Sequence, residues 1–333
     1  MVFNGVFSYV LLGILSLAAL VLSANLVMKK AMKLAKHFGL SQTFIGLTIF
    51  SIGTSIPEIA TTLIAGVEIL RGKLSSAVLS GTALGTTIGS DNIQITLVVG
   101  LVALFGTLKA SKKFMKFDYL IMAGVSIIVF VMALNFHISR LEGIILVLGY
   151  LVYLGYLWKK EKKHRKKKRK VMYGNKSLIA IDSFIIVLGI GLILAAAEFV
   201  FLSTVFFVDT FNVSGSLIGV VVVGVATALP ELTTSVIAAI RKASNISLGI
   251  LIGSNTTNMS LALGLGAALS GYEVSKSILY YDLVSRLVLP LIVGVLFWKG
   301  KITKKEAIFL ILLYIAYIGL RIIFFPTDVW QDI

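Results

Sequence analysis

The feature that most limits the fold of this chain is a succession of apolar runs from one end to the other. Each run is about 20 residues long, which is the length that crosses the hydrocarbon core of a bilayer as a helix. Of the 333 residues, 58% are hydrophobic and only 14% are charged, whereas about 25% of residues are charged in soluble domains. We therefore predict an all-α integral membrane protein without a separate soluble domain.

The apolar runs predict ten transmembrane helices. The first run follows no basic residue and is too long for the core of a signal peptide, so we interpret it as a retained span. The predicted boundaries of the ten spans are 6–28, 43–69, 77–107, 117–136, 141–158, 178–207, 215–240, 247–269, 280–298 and 306–325.

Basic residues are concentrated in alternate loops, namely those after the first, third, fifth, seventh and ninth spans. Loops rich in Lys and Arg face the cytoplasm. This pattern predicts a multi-pass protein of the cell membrane with both termini outside the cytoplasm. Five spans leave the chain on the side of the membrane opposite to the one where it began. The second set of five spans therefore enters the membrane from the opposite side to the first set.

The densest basic cluster, KKEKKHRKKKRK at 159–170, separates the two sets. We interpret it as a topology anchor and linker, and contact with anionic lipid headgroups is the alternative. The net charge of +16 therefore requires no nucleic-acid partner. The predicted division is a first inverted repeat at 1–158, a cytoplasmic linker at 159–177 and a second inverted repeat at 178–333.

One motif occurs once in each repeat. Residues 46–65 read GLTIFSIGTSIPEIATTLIA and residues 219–238 read GVVVVGVATALPELTTSVIA, aligned at a constant offset of 173 positions. Both place a proline and a glutamate, Glu58 and Glu231, inside an apolar run. In inverted repeats such broken helices meet near the midplane of the membrane and form the substrate site.

The residue types of this motif suit a cation. A carboxylate at the bilayer centre costs about 3 kcal/mol, so two of them require compensation. Pro57 and Pro230 each free the carbonyl four residues earlier from its helical hydrogen bond. With the hydroxyls of Thr54, Ser55 and Thr227, these groups form an all-oxygen set that fits Ca²⁺ or Na⁺. A protonated or hydrogen-bonded carboxylate explains one such glutamate, but explains a repeated pair poorly.

A second polar motif follows in each repeat. Residues 89–94 read GSDNIQ and residues 253–258 read GSNTTN, at an offset of 164 positions. Ser90 and Gln94 are four residues apart, as are Ser254 and Asn258, so each pair lies on one helical face. Such pairs either line a site or hold helices together by hydrogen bonds.

The two motifs, of the form G-T-S-x-P-E and G-S-N-x-x-N, resemble the α-repeats of the calcium/cation antiporter superfamily, which includes prokaryotic sodium/calcium exchangers. The resemblance implies exchange of Ca²⁺ for Na⁺ by alternating access, with the first and sixth spans sliding against the others. It implies the lipid bilayer, Ca²⁺ and monovalent cations as partners, and no cofactor. It also implies a metal site formed by Glu58, Glu231, Thr54, Ser55, Thr227, Ser90, Gln94, Ser254 and Asn258.

This chain departs from the superfamily pattern at one point that bears on mechanism. Members often have Asp at one of the positions of Gln94 and Asn258, but here both are amides. With two acidic groups the site carries a charge of −2, and a third Na⁺ would leave excess positive charge in a low dielectric. We therefore hypothesise fewer than three Na⁺ or H⁺ per Ca²⁺.

Three further residues are accessory candidates: Asp91, Asn255 and Glu198. Asp91 lines the pathway, binds a proton or packs helices, and the sequence does not choose among these roles. For Glu198 an interhelical hydrogen bond is favoured over the sliding interface or a proton path. Asp282 and Arg286, four residues apart in the ninth span, predict a structural ion pair.

Other function classes fit less well. A proton-coupled or other monovalent-coupled Ca²⁺ antiporter is the nearest alternative. A passive cation channel usually builds its pore from symmetric subunits, whereas an internal inverted repeat favours alternating access. No protease or hydrolase motif is complete, so we expect no enzyme, and the absence of Cys excludes disulfides and thiolate metal sites.

Overall fold

The computed structural model describes residues 2–37, 41–72, 75–106, 108–165, 176–211 and 213–328. Nearly all of them are helical. The helices of the first half are α1, Val2–His37; α2, made of Gln42–Ile45, a π-helical stretch Gly46–Phe50, Ser51–Thr54 and Ile56–Arg71; α3, made of Ser76–Ile93, a π-helical stretch Gln94–Val98 and Val99–Phe105; α4, made of Lys112–Phe114, a π-helical stretch Met115–Tyr119 and Leu120–Met132, followed by a 3₁₀ turn Ala133–Asn135; and α5, Arg140–Arg165.

The second half repeats this order. Its helices are α6, Lys176–Phe211; α7, made of Gly215–Ile218, a π-helical stretch Gly219–Val223, Gly224–Thr227 and Leu229–Ile240; α8, made of Ser244–Thr257, a π-helical stretch Asn258–Ala262 and Leu263–Ser270; α9, made of a π-helical stretch Ile278–Leu283 and Val284–Trp298; and α10, Lys304–Phe324.

Eight helices within the described ranges are long and apolar enough to cross a membrane, and the bent pair in α2 would add a ninth. The multi-pass helical class is therefore confirmed, while ten spans in two inverted repeats stay a prediction. Large apolar side chains face outward, as with Phe184, Leu291 and Phe324, each at least 66% exposed. Such a surface needs lipid around it.

The two halves also match in backbone detail. The π-helical stretches Gly46–Phe50 and Gly219–Val223 are related by the offset of 173, and Gln94–Val98 and Asn258–Ala262 by the offset of 164. A π-helical turn accommodates one extra residue and occurs frequently at functional sites. The repeat thus extends from sequence to local geometry.

Short extended segments follow the same symmetry. Strand β1, His137–Ile138, pairs antiparallel with β2, Tyr272–Glu273, and joins the connection after α4 to the connection after α8. An isolated bridge joins Lys109 to Lys301. At the offset of 164, Lys109 corresponds to Glu273 and His137 to Lys301, so the two contacts are equivalent and each joins one half to the other.

Glycines let the central helices of one half approach those of the other. A Cβ atom added at Gly46 of α2 would lie 3.1 Å from the Cα of Gly249 in α8. A Cβ added at the equivalent Gly219 of α7 would lie 2.6 Å from the carbonyl oxygen of Thr82 in α3. Small residues permit such close helix packing in membranes. The four helices that carry the polar motifs are thereby drawn together.

Helices α1 and α6 pack against each other along their lengths. The amino group of Lys30 lies 2.8 Å from the Asp182 carboxylate, and the rings of Tyr9 and Phe206 stack with centroids 4.0 Å apart. Apolar side chains, Leu20 among them, mediate contacts from this pair to α2 and α7. Apolar contacts suit a pair of helices that slides, although the motion itself stays a prediction.

Candidate cation site

The two repeated glutamates occupy equivalent places at breaks in α2 and α7. Glu58 and Glu231 lie in the first turn of the segments Ile56–Arg71 and Leu229–Ile240, immediately after Pro57 and Pro230. Proline fits the start of a helix, where its missing N–H is not needed, and a helix N-terminus favours a negative charge. Both glutamate side chains are fully buried.

The break is sharper in α2 than in α7. The segments Thr43–Thr54 and Ile56–Arg71 meet at 45°, whereas Gly215–Ile240 is straight enough to count as one span. The residues at the breaks, Ser55 and Ala228, have similar dihedral angles. The backbone angles at the two breaks are therefore similar, but the bend of the whole helix is larger in α2 than in α7.

Glu58 is held by α3. Its Oε1 accepts a hydrogen bond of 2.6 Å from the hydroxyl of Ser90, and the amide of Gln94 donates to that hydroxyl at 3.0 Å. The prediction that Ser90 and Gln94 share a helical face is confirmed by this contact. The other oxygen of Glu58 is buried and has no hydrogen-bond partner among the described residues.

Glu231 differs from its repeat counterpart. Both of its carboxylate oxygens are buried without a hydrogen-bond partner within the described part of the chain. Ser254, the counterpart of Ser90, forms its 3.1 Å contact with the hydroxyl of Thr54 instead. A buried carboxylate without partners is strongly unfavourable. The two glutamates together present three carboxylate oxygens without a hydrogen-bond partner among the described residues.

Neutral oxygen atoms complete the surroundings. The hydroxyl of Ser55 is buried and lacks a hydrogen-bond partner among the described residues, as do the side-chain oxygens of Asn255 and Asn258. Thr227 is buried and donates to the Gly224 carbonyl at 3.3 Å. These atoms are hard donors of the kind that Ca²⁺ and Na⁺ prefer.

The amides link the third and eighth helices. Asn255 donates to the side-chain oxygen of Gln94 at 2.9 Å, and Asn258 donates to Asp91 Oδ1 at 2.9 Å. Asn255, an accessory candidate from the sequence, thus belongs to the same cluster. Asp91 also reaches the cluster, through Asn258.

The predicted ion pair between Asp282 and Arg286 is wrong. Arg286 Nε lies 3.3 Å from Asp91 Oδ2 on α3, and Asp282 pairs with Arg321 on α10 at 2.9 Å. Asp282 lies in the π-helical stretch Ile278–Leu283, where side chains four residues apart do not share a face because the turn is wider. Each charge instead finds a partner on a neighbouring helix.

Glu198 is not brought to the cluster. Its side chain is 51% exposed, and it lies 3.9 Å from Arg71 Nη1. Arg71 also contacts Glu68 at 2.5 Å. This ion pair joins α6 to α2, but its 3.9 Å separation is longer than a hydrogen bond, so the interhelical hydrogen bond of Glu198 stays a prediction.

Sequence reasoning missed Arg286 as a neighbour of the site. The signal that could have found it is the repeat itself, since the offset of 164 pairs Arg286 with Met122 and Asp91 with Asn255. The pair that joins Asp91 of the first half to Arg286 of the second is therefore charged, whereas the equivalent positions Asn255 and Met122 are both neutral. No group of three or more His, Cys, Asp or Glu side chains that could hold a metal is found among the described residues, so the cluster depends on two carboxylates and neutral oxygens.

Comparison with known proteins found similar chains and structures. The family model described as sodium/calcium exchanger protein matches residues 8–159 and 182–323. The sodium/calcium exchanger MaX1 of Methanosarcina acetivorans is 29% identical and is aligned over 92% of this chain and 96% of its own length. The inner membrane protein YrbG of Escherichia coli is 29% identical over 86% and 87%. A structure of the sodium-calcium exchanger NCX_Mj superposes with a TM-score of 0.66 at 25% identity, covering 94% of this chain and 98% of that one.

Proposed function

The chain belongs to the sodium/calcium exchanger protein family, and from the chemistry of its site we propose that it exchanges Ca²⁺ for Na⁺ across a membrane by alternating access. The observation that carries this proposal is the pair Glu58 and Glu231, both fully buried, with three carboxylate oxygens that lack hydrogen-bond partners among the described residues. A buried divalent cation would neutralise both charges at once.

The donor set favours a hard cation over other substrates. The proposed ligands are carboxylate, hydroxyl and amide oxygens from α2, α3, α7 and α8: Glu58, Glu231, Thr54, Ser55, Thr227, Ser90, Gln94, Ser254 and Asn258. Oxygen ligands of this kind bind Ca²⁺ through flexible, multidentate geometry. Asn255 supports the set as an outer partner of Gln94.

Alternating access is supported by the repeat and by the packing of α1 and α6. We propose that this pair slides across the face formed by the other helices and exposes the site to each side in turn. Two structurally equivalent halves allow two mirror-related conformations around one site. A passive channel needs no such pair of halves.

The coupling experiment is Ca²⁺ uptake into proteoliposomes that contain the purified full chain. ⁴⁵Ca²⁺ uptake is measured with an outward gradient of Na⁺, Li⁺, K⁺ or H⁺ as the only driving force. Uptake that requires the Na⁺ gradient supports the proposal. Uptake driven only by the H⁺ gradient would mean that H⁺, and not Na⁺, is the coupling ion. Uptake without any opposing gradient would favour a channel.

The proposed orientation can be tested in the same protein because the chain contains no native Cys. We propose that both termini lie outside the cytoplasm, so Lys305→Cys should be shielded in intact cells and Arg140→Cys should react with an impermeant maleimide. The reverse labelling pattern would invert the topology. The basic segment 159–170 lies partly outside the described residues; we propose that it is an anchor and linker, with anionic lipid as its alternative partner.

A further inference from the structure

We propose that Arg286 is a resident counter-cation for Asp91 and thereby limits the charge exchanged per cycle to two, giving one Ca²⁺ against two monovalent cations. The inference rests on the proposed cation exchange and assigns to Arg286 a role in setting its stoichiometry. Arg286 contacts no proposed ligand directly and acts through Asp91.

The position of Asp91 brings its charge to the edge of the cation site. It follows Ser90, whose hydroxyl donates to Glu58 at 2.6 Å, and its Oδ1 accepts a 2.9 Å hydrogen bond from the proposed ligand Asn258. Without compensation, Asp91 would add a third negative charge to those of Glu58 and Glu231.

Arg286 supplies that compensation permanently. Its Nε lies 3.3 Å from Asp91 Oδ2, and both side chains are fully buried. None of its three guanidinium nitrogens has a hydrogen-bond partner among the described residues. A guanidinium does not lose its proton in proteins, so the positive charge is always present. A buried ion pair generally adds little to the free energy of unfolding, because desolvation offsets the attraction. Charge balance at the site is therefore the better explanation for this pair.

The repeat distinguishes the Asp91–Arg286 pair from the ion pairs that join neighbouring helices within each half. Asp118 of α4 and Asp282 of α9 are equivalent at the offset of 164. Asp118 lies 3.6 Å from Lys160 of α5, and Asp282 lies 2.9 Å from Arg321 of α10. An acid of the fourth helix paired with a base of the fifth is therefore common to both halves.

The Asp91–Arg286 pair joins α3 of the first half to α9 of the second, and it has no charged equivalent under the repeat. At the same offset the equivalents of Asp91 and Arg286 are Asn255 and Met122, which are both neutral. The acid and the base are present together or absent together, as mutual neutralisation requires. The net charge of the site is then −2 from Glu58 and Glu231 alone, which one Ca²⁺ or two monovalent cations balance.

The test replaces each residue by its neutral repeat equivalent. Reversal potentials of Ca²⁺ flux are measured in proteoliposomes with a clamped membrane potential and fixed gradients. In the wild type, a membrane potential of about 59 mV should leave the equilibrium Ca²⁺ gradient unchanged. In an exchanger that moves one net charge per cycle, the same potential shifts that gradient about tenfold. Arg286→Met frees Asp91 for a third monovalent cation and should become electrogenic. Asp91→Asn/Arg286→Met should again be electroneutral.

A second comparison keeps the inference testable if Arg286→Met does not fold. Asp91→Asn alone leaves an unpaired guanidinium beside the site and should raise the Ca²⁺ concentration for half-maximal uptake at least tenfold, with recovery in the double variant. Asp282→Asn/Arg321→Met is the matched control, since it removes a buried ion pair of the scaffold and should stay electroneutral.

Each outcome has a distinct meaning. A three-to-one reversal potential in the wild type, unchanged stoichiometry in Arg286→Met, or wild-type behaviour of Asp91→Asn overturns the inference while leaving the exchange function intact. Absence of Ca²⁺ uptake in the wild type under every gradient would overturn the proposed function and the inference together.

Discussion

Replacing Glu231 with glutamine should abolish Ca²⁺ transport without disturbing the fold. The side chain is fully buried, and neither carboxylate oxygen has a hydrogen-bond partner of normal geometry among the described residues. The hydroxyl of Thr54 beside it can donate equally to a glutamine oxygen. Glutamine has nearly the same shape but no charge. The substitution therefore isolates the electrostatic contribution of one carboxylate to cation binding.

The expected loss follows from the burial of the site. Two unit charges 4 Å apart interact by about 4 kcal/mol at an effective dielectric constant of about 20, and a divalent ion doubles this value. Desolvation of the ion offsets part of it, and removing one partner of a buried charge pair costs about 3–5 kcal/mol. The lower value weakens Ca²⁺ binding by more than about 100-fold, since about 1.4 kcal/mol is tenfold.

Two measurements check this prediction. ⁴⁵Ca²⁺ uptake into proteoliposomes should fall to background, and the stabilisation that Ca²⁺ confers in detergent should shrink. At 100 times the wild-type Kd the wild type gains about 2.7 kcal/mol, while a variant with 100-fold weaker binding gains about 0.4 kcal/mol. Glu198→Gln is the matched control, because its carboxylate is 51% exposed and paired with Arg71. Normal uptake and a normal Ca²⁺ shift in Glu231→Gln would refute the reasoning.

Three further substitutions test the framework around the site. Ser90→Ala removes a hydrogen bond to a buried carboxylate and should lower the stability of the ion-free protein by about 1.5–3 kcal/mol; an unchanged melting temperature would contradict this role. Arg321→Gln leaves Asp282 uncompensated and should cost about 3–5 kcal/mol, with recovery when Asp282→Asn is added, as followed by thermal unfolding in detergent. Gly249→Val forces apart two helix backbones and should reduce the yield of monodisperse protein, whereas Gly149→Val, which has open space around it, should not.

The span positions could be predicted from sequence because apolarity and loop charge are local properties. The predicted seventh span, 215–240, coincides with the candidate span Gly215–Ile240, and the ninth, 280–298, begins within two residues of Ile278. The 45° bend in α2 could not be predicted in the same way. Pro57 and Pro230 occur in matching motifs, yet only the first is accompanied by so large a bend, so the packing around each helix decides its size.

The site shows the same division between local and non-local information. Ser90 and Gln94 share a face because they are four residues apart on one helix, and sequence spacing captures this relation. Asp282 and Arg286 have an equally suggestive spacing, but their partners lie on α10 and α3. Spacing along one helix does not report which neighbouring helix offers a better partner. The repeat offset carries part of that non-local information, because Asp91 and Arg286 are charged while their equivalents Asn255 and Met122 are both neutral.

The unequal hydrogen bonding of the two glutamates is what one state of the proposed mirror-symmetric cycle requires. Ser90 donates to Glu58, while Ser254 contacts Thr54 and leaves Glu231 without a partner among the described residues. Exchanging the roles of the two halves maps these contacts onto Ser254 with Glu231 and Ser90 with Thr227.

Thr54→Val should therefore disfavour the state described, and Thr227→Val should disfavour its mirror image. Both substitutions remove one hydroxyl from equivalent positions and keep the side-chain volume, so each serves as the control for the other. Hydrogen–deuterium exchange of the helix breaks in α2 and α7 should shift in opposite directions in the two variants. A shift in the same direction would mean that the two hydroxyls do not exchange roles, because a purely local loss of packing acts alike in both halves.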